Sequence, residues 1–313
     1  MGAGTKVSAT FLLPVYNGAA TLREAIDSVL AQDEPSFELL ILDDASSDGS
    51  AALAEDYKRR DSRVVVVAHE RNSGLASTLN EGLERASHEL VLRMDQDDVS
   101  LPWRLRVQSA YLEAHPAVAA AGSWVLHMGA RPEHDRLVEL PSTPREIAVR
   151  LQRENCLYHP SVALRRSVVL EAGGYRSEFK NAEDYELWLR LAREHDLANV
   201  PEALLRYRFS LGGMTLGRKW EQLYYVYLAQ AMHRHAAIGL EEAGVLARAS
   251  LEEVNRRWFM THVARGTVSE LVALRHWQDA LRLSMTFGRE IGLPSSAKLL
   301  ALVASERRRA WTS

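Results

Sequence analysis

Four short, largely apolar runs alternate with helix-like segments over the first hundred residues, and no other feature constrains the fold as strongly. The runs span 7–13, 37–42, 64–68 and 89–94. Their apolar residues are nearly continuous, which is typical of strands that are covered on both faces. Strands separated by helices of ten or more residues form βαβ units. We therefore predict an α/β protein with a doubly wound, mostly parallel, Rossmann-like sheet.

The periodicity of the sequence becomes entirely helical from about residue 215 onward. This change predicts a first domain over residues 1–214 and an all-helical C-terminal module over residues 215–313. Within the first domain, residues 118–128 have the pattern of a strand, or of a hairpin broken at Gly122.

Two Thr-x-x-Glu patterns mark expected helix starts. They are Thr21 to Glu24 and Thr143 to Glu146. In a capping box of this kind the threonine hydroxyl and the glutamate carboxylate each accept a hydrogen bond from a free backbone N–H group. We expect both boxes to form.

The composition is that of an ordinary globular protein and excludes several classes. The 313 residues carry a formal net charge of −3, which gives no general affinity for nucleic acid. The single cysteine, Cys156, cannot form an internal disulfide and fits a reducing compartment. The longest apolar stretch, 117–126, is too short to span a bilayer. No signal peptide is apparent, and we expect a cytoplasmic protein.

The last of the four apolar runs ends in the acidic sequence Asp95-Gln96-Asp97-Asp98. If the strand continued through it, Asp95 and Asp97 would share one face, because strand side chains alternate. Neighbouring carboxylates repel unless a positive charge lies between them, and Mg²⁺ prefers one or two protein carboxylates together with substrate phosphate oxygens. The stretch therefore predicts a metal site for a phosphate-bearing substrate, or else a solvated acidic turn.

The ends of the other predicted strands are also polar. Ligands of doubly wound sheets bind beyond the carboxyl ends of the strands. That rule collects four segments at one edge of the sheet: Pro14 to Asn17, Asp43-Asp44, Asn72 and Asp95 to Asp98. Their convergence favours the metal-and-phosphate interpretation over the acidic turn.

Five motifs together resemble those of the family 2 glycosyltransferases. In order they are Leu13-Pro14-Val15-Tyr16-Asn17, Leu42 to Ser50, Asn72-x-Gly74, Asp95-Gln96-Asp97-Asp98 and Glu183-Asp184-Tyr185. Each motif alone is weak, but five in order are specific. The resemblance covers residues 6–210 and implies the GT-A fold, a nucleotide-sugar donor, inversion at the sugar and a role in polysaccharide biosynthesis. It does not extend to the C-terminal hundred residues.

The resemblance implies a donor-binding role for residues at the strand ends, with UDP as the expected nucleotide. Asp44 would accept a hydrogen bond from the uracil base, and Gly74 would allow a close approach of the backbone. For the glycine and asparagine residues, simple turn geometry is the alternative explanation. The donor-binding set is Pro14, Tyr16, Asn17, Asp44, Asn72, Gly74 and Asp95.

The resemblance also implies a divalent cation, Mn²⁺ or Mg²⁺, on the donor diphosphate. Asp97 would bind it directly, while Asp95 would contact either the metal or the ribose. His159 is a further candidate ligand, against the alternative of a structural hydrogen bond. Many relatives have a histidine where this chain has Ser210, so a third protein ligand stays open. Arg208 is expected instead to neutralise phosphate.

Asp184 is the expected general base, because inversion by a single displacement needs a carboxylate to take the proton of the acceptor hydroxyl. An aspartate at this position could alternatively only cap the helix that follows. Glu183 is then expected to orient the site or the acceptor.

The expected partners are the nucleotide-sugar donor and a carbohydrate, lipid-linked or small-molecule acceptor. The module 215–313 is expected to close over the acceptor or to form a homodimer. The basic run 307–309 indicates either a peripheral contact with the inner face of a membrane or a solvated helix end.

Two other functions stay open. One is a nucleotidyl or phosphoryl transferase that uses the same acidic edge, although the sequence contains no phosphate-binding loop motif. The other is a nucleotide-sugar-binding or scaffolding module.

Overall fold

A computed structural model describes residues 8–208, 216–235, 237–291, 301, 303 and 304. The chain forms two compact units, one of Met1–Leu126 with Leu137–Arg208 and the other of His127–Arg136 with Phe209–Ser313. The predicted boundary after residue 214 lies outside the described residues. The grouping of His127–Arg136 with the helical unit was not expected from the sequence.

The first unit alternates strands and helices in the predicted manner. Its elements are β1 (Ala9–Val15), α1 (Leu22–Leu30), β2 (Phe37–Asp43), α2 (Ser50–Arg60), β3 (Val64–Ala68), α3 (Leu75–Arg85), β4 (Leu90–Arg93), β5 (Val99–Ser100), α4 (Arg104–Ala114), β6 (Val118–His127), β7 (Arg136–Val138), α5 (Pro144–Leu151), β8 (Ala163–Arg165), α6 (Arg166–Glu171), α7 (Glu183–Leu191) and β9 (Asp196–Tyr207). Short 3₁₀ turns cover Pro132–His134 and His159–Ser161.

The sheet has the order β3-β2-β1-β4-β8-β6-β9-β5. Its first four strands are parallel, and β8 then pairs antiparallel with both β4 and β6. Strand β9 pairs antiparallel with β5. The carboxyl ends of β1, β2, β3 and β4 therefore share one edge, and the doubly wound prediction is confirmed.

Strands β1 and β2 are almost fully buried on both faces, as their continuous apolar sequences indicated, whereas the edge strand β3 is partly exposed. Every residue of β1 is buried, and in α1 the spacing of Leu22, Ala25, Ile26 and Val29 places one apolar face on the core. Complete burial of each large aliphatic side chain contributes about 1.5–3 kcal/mol. The core fixes the strand ends, so the loops after them start from rigid positions.

Two local expectations differ from the structure. No side-chain capping bond forms at Thr21, whose hydroxyl donates to the carbonyl of Gly18 at 3.4 Å, and Glu24 pairs with the distant Arg208. The second box, Thr143 with Glu146, forms completely. Strand β6 is not broken at Gly122; a Cβ atom there would lie 2.2 Å from Oδ1 of Asn199, so glycine permits a close approach within the sheet.

The second unit is helical, which confirms the predicted C-terminal extension. It contains α8 (Leu216–Arg234), α9 (Leu240–Glu252), α10 (Arg256–Ala273) and α11 (Trp277–Ile291). Residues of α10 at helical spacing, such as Ala264, Val268 and Leu271, pack in its core with Leu283 of α11. No helix in the described ranges combines the length and hydropathy needed to cross a bilayer.

Candidate active site

The acidic sequence after β4 forms a turn, so the shared strand face considered for Asp95 and Asp97 does not occur. The strand ends at Arg93, and the N–H group of Asp98 points back to the carbonyl of Asp95, at 3.5 Å. The turn brings three carboxylates together, with one oxygen of each of Asp95, Asp97 and Asp98 within 4.8 Å of the others. A strand would have placed Asp98 on the opposite face.

The three carboxylates suit a hard divalent cation. Burial, followed by the charge of Asp95, raises the pKa of Asp97 to about 6. Burial and then the charges of Asp95 and Asp97 raise the pKa of Asp98 well above its ordinary value. Asp98 is 1% exposed, and its Oδ2 has no hydrogen-bond partner among the residues that the structure describes. A cation at this point would relieve the repulsion and engage the unpartnered oxygen.

Arg93 supplies the positive charge closest to this cluster. The side chain is almost fully buried, and its Nη2 lies 2.5 Å from Oδ1 of Asp95. Burial opposes the charge, but Asp95 outweighs it and raises the pKa of Arg93. Arg93 offsets part of the rise that burial causes in the pKa values of Asp97, Glu183 and Asp184, so one cation acts on two groups of carboxylates.

Arg208 holds the acidic turn from the end of β9. Its backbone N–H group donates to Oδ1 of Asp98 at 2.8 Å, and its Nε donates to the carbonyl oxygen of Asp97 at 2.7 Å. Its Nη2 lies 2.5 Å from Oε2 of Glu24. The residue expected to neutralise phosphate therefore fixes the acidic turn.

The loop after β1 presents Tyr16 and Asn17 beside the same turn. Tyr16 is 51% exposed, and its backbone exchanges two hydrogen bonds with the side-chain amide of Gln96, at 2.8 and 3.1 Å. Asn17 has a positive φ of 51°, and its Oδ1 accepts a hydrogen bond from the backbone of Ser47 at 2.8 Å. Pro14 is buried inside β1, immediately before this loop.

Asp44 connects the end of β2 to the start of α3. Its Oδ1 accepts hydrogen bonds from the backbone and hydroxyl of Ser73, at 2.8 and 2.9 Å, and lies 2.8 Å from Nδ1 of His69. Its Oδ2 accepts a bond from the backbone of Gly74 at 2.9 Å, and its carbonyl accepts one from Asn72 at 3.2 Å. Burial opposes ionisation, but these donors outweigh it and lower the pKa of Asp44.

The preceding aspartate, Asp43, was placed at this edge from the sequence but was given no specific role. It is 2% exposed, and its Oδ2 accepts a hydrogen bond from the backbone of Ser46 at 3.1 Å. Its Oδ1 has no hydrogen-bond partner within the described part of the chain. An unpartnered acceptor at this strand end makes Asp43 a second candidate for contact with a ligand.

The candidate base lies in the first turn of α7. Oδ2 of Asp184 accepts a hydrogen bond from the side chain of Asn155 at 2.8 Å, and Oδ1 accepts one from the backbone of Tyr185 at 2.7 Å. Burial raises the pKa of Asp184. Burial and the charge of Asp184 raise the pKa of Glu183 to about 7. A raised pKa makes a carboxylate a stronger base, which suits proton abstraction.

His159 is not part of the three-carboxylate group. It is buried, its Nε2 lies 2.9 Å from the hydroxyl oxygen of Tyr175, and its ring contacts those of Tyr175 and Trp188. Burial, followed by the charge of Arg93, lowers its pKa well below the ordinary value. These contacts match the structural alternative for His159. Ser210 and the basic run 307–309 lie outside the described residues.

Arg93 is the main site residue that the sequence reasoning missed. The sequence did contain a signal for Arg93, because it is a charged residue at the end of an apolar strand, two positions before Asp95. Gln96, which fixes the loop at Tyr16, had no comparable signal, since its partners are backbone atoms 80 positions away.

Comparison with known proteins agrees with this geometry. Residues 10–173 match the model of glycosyl transferase family 2. The amylovoran biosynthesis glycosyltransferase AmsE of Erwinia amylovora is 33% identical over 228 residues, which cover 70% of this chain and 85% of that protein. A UDP-Gal:alpha-D-GlcNAc-diphosphoundecaprenol beta-1,3-galactosyltransferase of Escherichia coli is 27% identical over 206 residues, or 66% of this chain and 74% of the relative.

A similar fold occurs in the mannosyltransferase PcManGT of Pyrobaculum calidifontis, whose structure contains GDP-Man and Mn²⁺. The TM-score is 0.59 at 19% identity, over 97% of this chain and 82% of that one. The fold is therefore of the GT-A type found in glycosyltransferases. Because the family match spans just over half of the chain and AmsE is matched over most of its length, the protein belongs to glycosyl transferase family 2.

Proposed function

We propose that this glycosyltransferase moves a hexose from a UDP-sugar to an acceptor hydroxyl with inversion at the anomeric carbon. The observation that carries the proposal is the turn that brings the carboxylates of Asp95, Asp97 and Asp98 together after β4, in a chain that also places Glu183 and Asp184 in the first turn of α7. One group would serve the leaving diphosphate and the other the acceptor. The UDP-Gal donor in the name of the E. coli relative supports uridine as the base.

The donor would lie along the strand ends. The exposed ring of Tyr16 offers a face to the base, and Asp44, held ionised by its donors, accepts a hydrogen bond from it. The backbone around the nucleotide is shaped by Asn17, Asn72 and Gly74. Pro14 is buried in β1, just before the loop that carries Asn17. The positive φ of 85° at Gly74 favours glycine in that position.

Asp97, Asp95 and Asp98 would hold Mn²⁺ or Mg²⁺, since they supply three hard oxygen ligands within a short distance. A bound divalent ion adds positive charge to the diphosphate, worth several kcal/mol as the glycosidic bond breaks. Arg208 fixes the turn and adds a further positive charge near the phosphates. His159 stays a weaker candidate ligand, because its Nε2 is already engaged by Tyr175.

Transfer then proceeds in one displacement. Asp184 takes the proton of the acceptor hydroxyl as the hydroxyl oxygen forms a bond to the anomeric carbon. The bond from that carbon to the phosphate oxygen breaks, and its electron pair leaves with the diphosphate. Asn155 holds the carboxylate of Asp184 in place, and Glu183 orients the acceptor. General-base catalysis of this kind contributes about 10²- to 10⁴-fold.

The acceptor is a carbohydrate, lipid-linked or small molecule, and the names of AmsE and of the E. coli relative favour a place in polysaccharide synthesis. The segment 215–313 would bind that acceptor or form a homodimer. We propose a cytoplasmic enzyme in peripheral contact with the inner face of a membrane, where a lipid-linked acceptor would be met.

A thermal-shift panel tests the proposal with UDP-Gal, UDP-Glc, UDP-GlcNAc and GDP-Man, each with and without Mn²⁺. A ligand at 100 times its Kd stabilises a protein by about 2.7 kcal/mol. We expect a UDP-sugar to raise the Tm only with Mn²⁺. A response to GDP-Man alone would overturn the uridine assignment. During turnover, release of a nucleoside diphosphate supports sugar transfer, whereas release of pyrophosphate supports the nucleotidyltransferase alternative.

A further inference from the structure

His69, the residue that follows β3, places its two ring nitrogens next to two different carboxylates. The side chain is 12% exposed. Its Nδ1 lies 2.8 Å from Oδ1 of Asp44, and its Nε2 lies 3.0 Å from Oε2 of Glu81 on α3. The ring therefore connects the aspartate proposed to bind the base with a neighbouring helix, and the transfer described above gives it no role.

The contact with Asp44 determines which ring nitrogen carries a proton. Burial opposes ionisation of Asp44, but its hydrogen-bond donors outweigh burial and lower its pKa. An ionised carboxylate only accepts hydrogen bonds, so Nδ1 of His69 must be the donor. The Nε2 atom lies close to Glu81 but outside hydrogen-bond geometry, and Glu81 is itself held by Nε of Arg85 at 2.7 Å.

The donors around Asp44 are distributed unequally between its two oxygens. Oδ1 is engaged by Nδ1 of His69 and by the backbone and hydroxyl of Ser73, at 2.8, 2.8 and 2.9 Å. Within the described part of the chain, Oδ2 accepts one bond, from the backbone of Gly74 at 2.9 Å. Because a carboxylate has about four lone-pair sites, Oδ1 is saturated while Oδ2 keeps one acceptor site. The oxygen left to meet a ligand is therefore Oδ2.

We propose that His69 is a positioning residue that makes the base site selective for a base with an N–H group at its hydrogen-bonding edge. The proposal rests on the transferase function proposed above and adds the group that discriminates between nucleotides. By donating to Oδ1, His69 keeps Asp44 ionised and turned so that Oδ2 faces the base.

The chemistry of the bases explains how such an aspartate selects. Uracil presents an N–H group at N3, which an ionised carboxylate accepts, whereas cytosine presents a lone pair at N3, which the carboxylate repels. A site built around a hydrogen bond rejects an analogue that lacks the matching group. Without the donor at His69, Asp44 is protonated and rotated more easily, and a protonated Asp44 can donate to N3 of cytosine.

Titration calorimetry of the full chain with UDP and with CDP, each at fixed Mn²⁺, measures this selectivity. We expect the wild type to bind UDP more tightly than CDP. In His69→Gln the amide reaches toward the former position of Nε2, so the donor at Nδ1 is lost. The ratio of UDP to CDP affinity should then fall about tenfold, the value of one hydrogen bond to a charged group. In His69→Asn an amide N–H can replace Nδ1–H, and the ratio should stay within about threefold of that of the wild type.

His88→Gln is the matched control, because His88 hydrogen-bonds to the hydroxyl of Thr10, at the end of β1 opposite to the Tyr16 loop. It should leave both affinities unchanged. Equal affinities of the wild type for UDP and CDP, an unchanged ratio in His69→Gln, or an equal fall of the ratio in His69→Gln and His69→Asn would each overturn the proposal. A wild type that binds neither nucleotide with Mn²⁺ would contradict the proposed function itself. UDP binding with an unchanged ratio in His69→Gln would leave that function in place and remove only the role of His69.

Discussion

The Nη2 atom of Arg93 lies 2.5 Å from Oδ1 of Asp95, and this ion pair joins the last residue of β4 to the first carboxylate of the acidic turn. Two further atoms of the guanidinium, Nε and Nη1, are buried without a hydrogen-bond partner among the residues described here. A buried arginine with free donors is costly unless nearby negative charge balances it. The neighbouring carboxylates supply that charge.

Replacement of Arg93 by methionine should destabilise the protein, because it leaves these carboxylates without their cation. Breaking a fully buried pair costs about 3–5 kcal/mol, and we expect about 2–3 kcal/mol here, since Asp95 is 32% exposed. Mn²⁺ should raise the Tm of the variant more than that of the wild type, because it replaces the lost charge. Scanning calorimetry with and without Mn²⁺ measures both effects.

The control is Arg165→Met, which removes an arginine whose partners among the described residues are backbone carbonyls, including those of Leu112 and Val118. This variant should lose stability without an enhanced response to Mn²⁺. If Mn²⁺ stabilises Arg93→Met less than it stabilises the wild type, Arg93 serves mainly to position Asp95 and not to balance charge.

The metal proposal makes separate predictions for two carboxylates. Asp97→Asn should weaken Mn²⁺-dependent binding of UDP by at least about tenfold, because one anionic ligand becomes neutral. Asp98→Asn should do the same if its unpartnered Oδ2 is also a ligand. Titration calorimetry of UDP at fixed Mn²⁺ measures the affinity. Asp33→Asn, which alters an exposed partner of Arg106, is the control; equal affinities in all three variants would contradict the assignment.

The parallel half of the fold and the chemistry of its edge could be predicted because both follow from local sequence. Continuous apolar runs indicate buried strands, and the rule for strand ends then places Asp44, Asn72 and Asp95 at one edge. The pairing of β8 and β9 could not be predicted in the same way. Their partners are set by contacts between distant segments, for which short strands carry no signal.

The local predictions that were wrong at single residues also failed because of contacts between distant segments. Thr21 and Glu24 have the pattern of a capping box, but an arginine 184 positions away takes the glutamate. Asp95 and Asp97 have the spacing of a strand face, but a turn forms after Arg93 and brings in Asp98 as well. In each case a tertiary contact overrides a local preference, and this occurs close to the active site.

Arg208 provides a test of how the acidic turn, the proposed metal site, is held. Arg208→Ala should weaken Mn²⁺-dependent UDP binding about tenfold, because the side chain no longer donates to the carbonyl of Asp97. The loss of stability should stay below about 1 kcal/mol, since its ion pair with Glu24 is largely exposed. Glu24→Ala breaks only that pair and should leave binding nearly unchanged. Equal losses of binding in both variants would assign the effect to the ion pair.

Asp184→Asn should abolish transfer while donor binding persists. The amide cannot take the hydroxyl proton, so kcat should fall by about 10²-fold or more. Asn155→Ala should lower kcat by a smaller factor, because Asp184 loses a positioning hydrogen bond of 2.8 Å. Transfer is measured as UDP release in the presence of acceptor, and donor affinity by calorimetry. Substantial residual transfer in Asp184→Asn would leave only the helix-capping role for this residue.

Transfer should decline on the acid side of the pH profile, because burial raises the pKa of Asp184 and a base acts only when ionised. Glu183→Gln removes a negative charge beside Asp184, so Asp184 should ionise more easily. The acid limb of the kcat profile should therefore move to lower pH, by about half to one unit. Glu178→Gln, in the exposed segment before α7, should leave the profile unchanged. An acid limb that stays in place or moves upward in Glu183→Gln would show that this pair does not control the proton transfer.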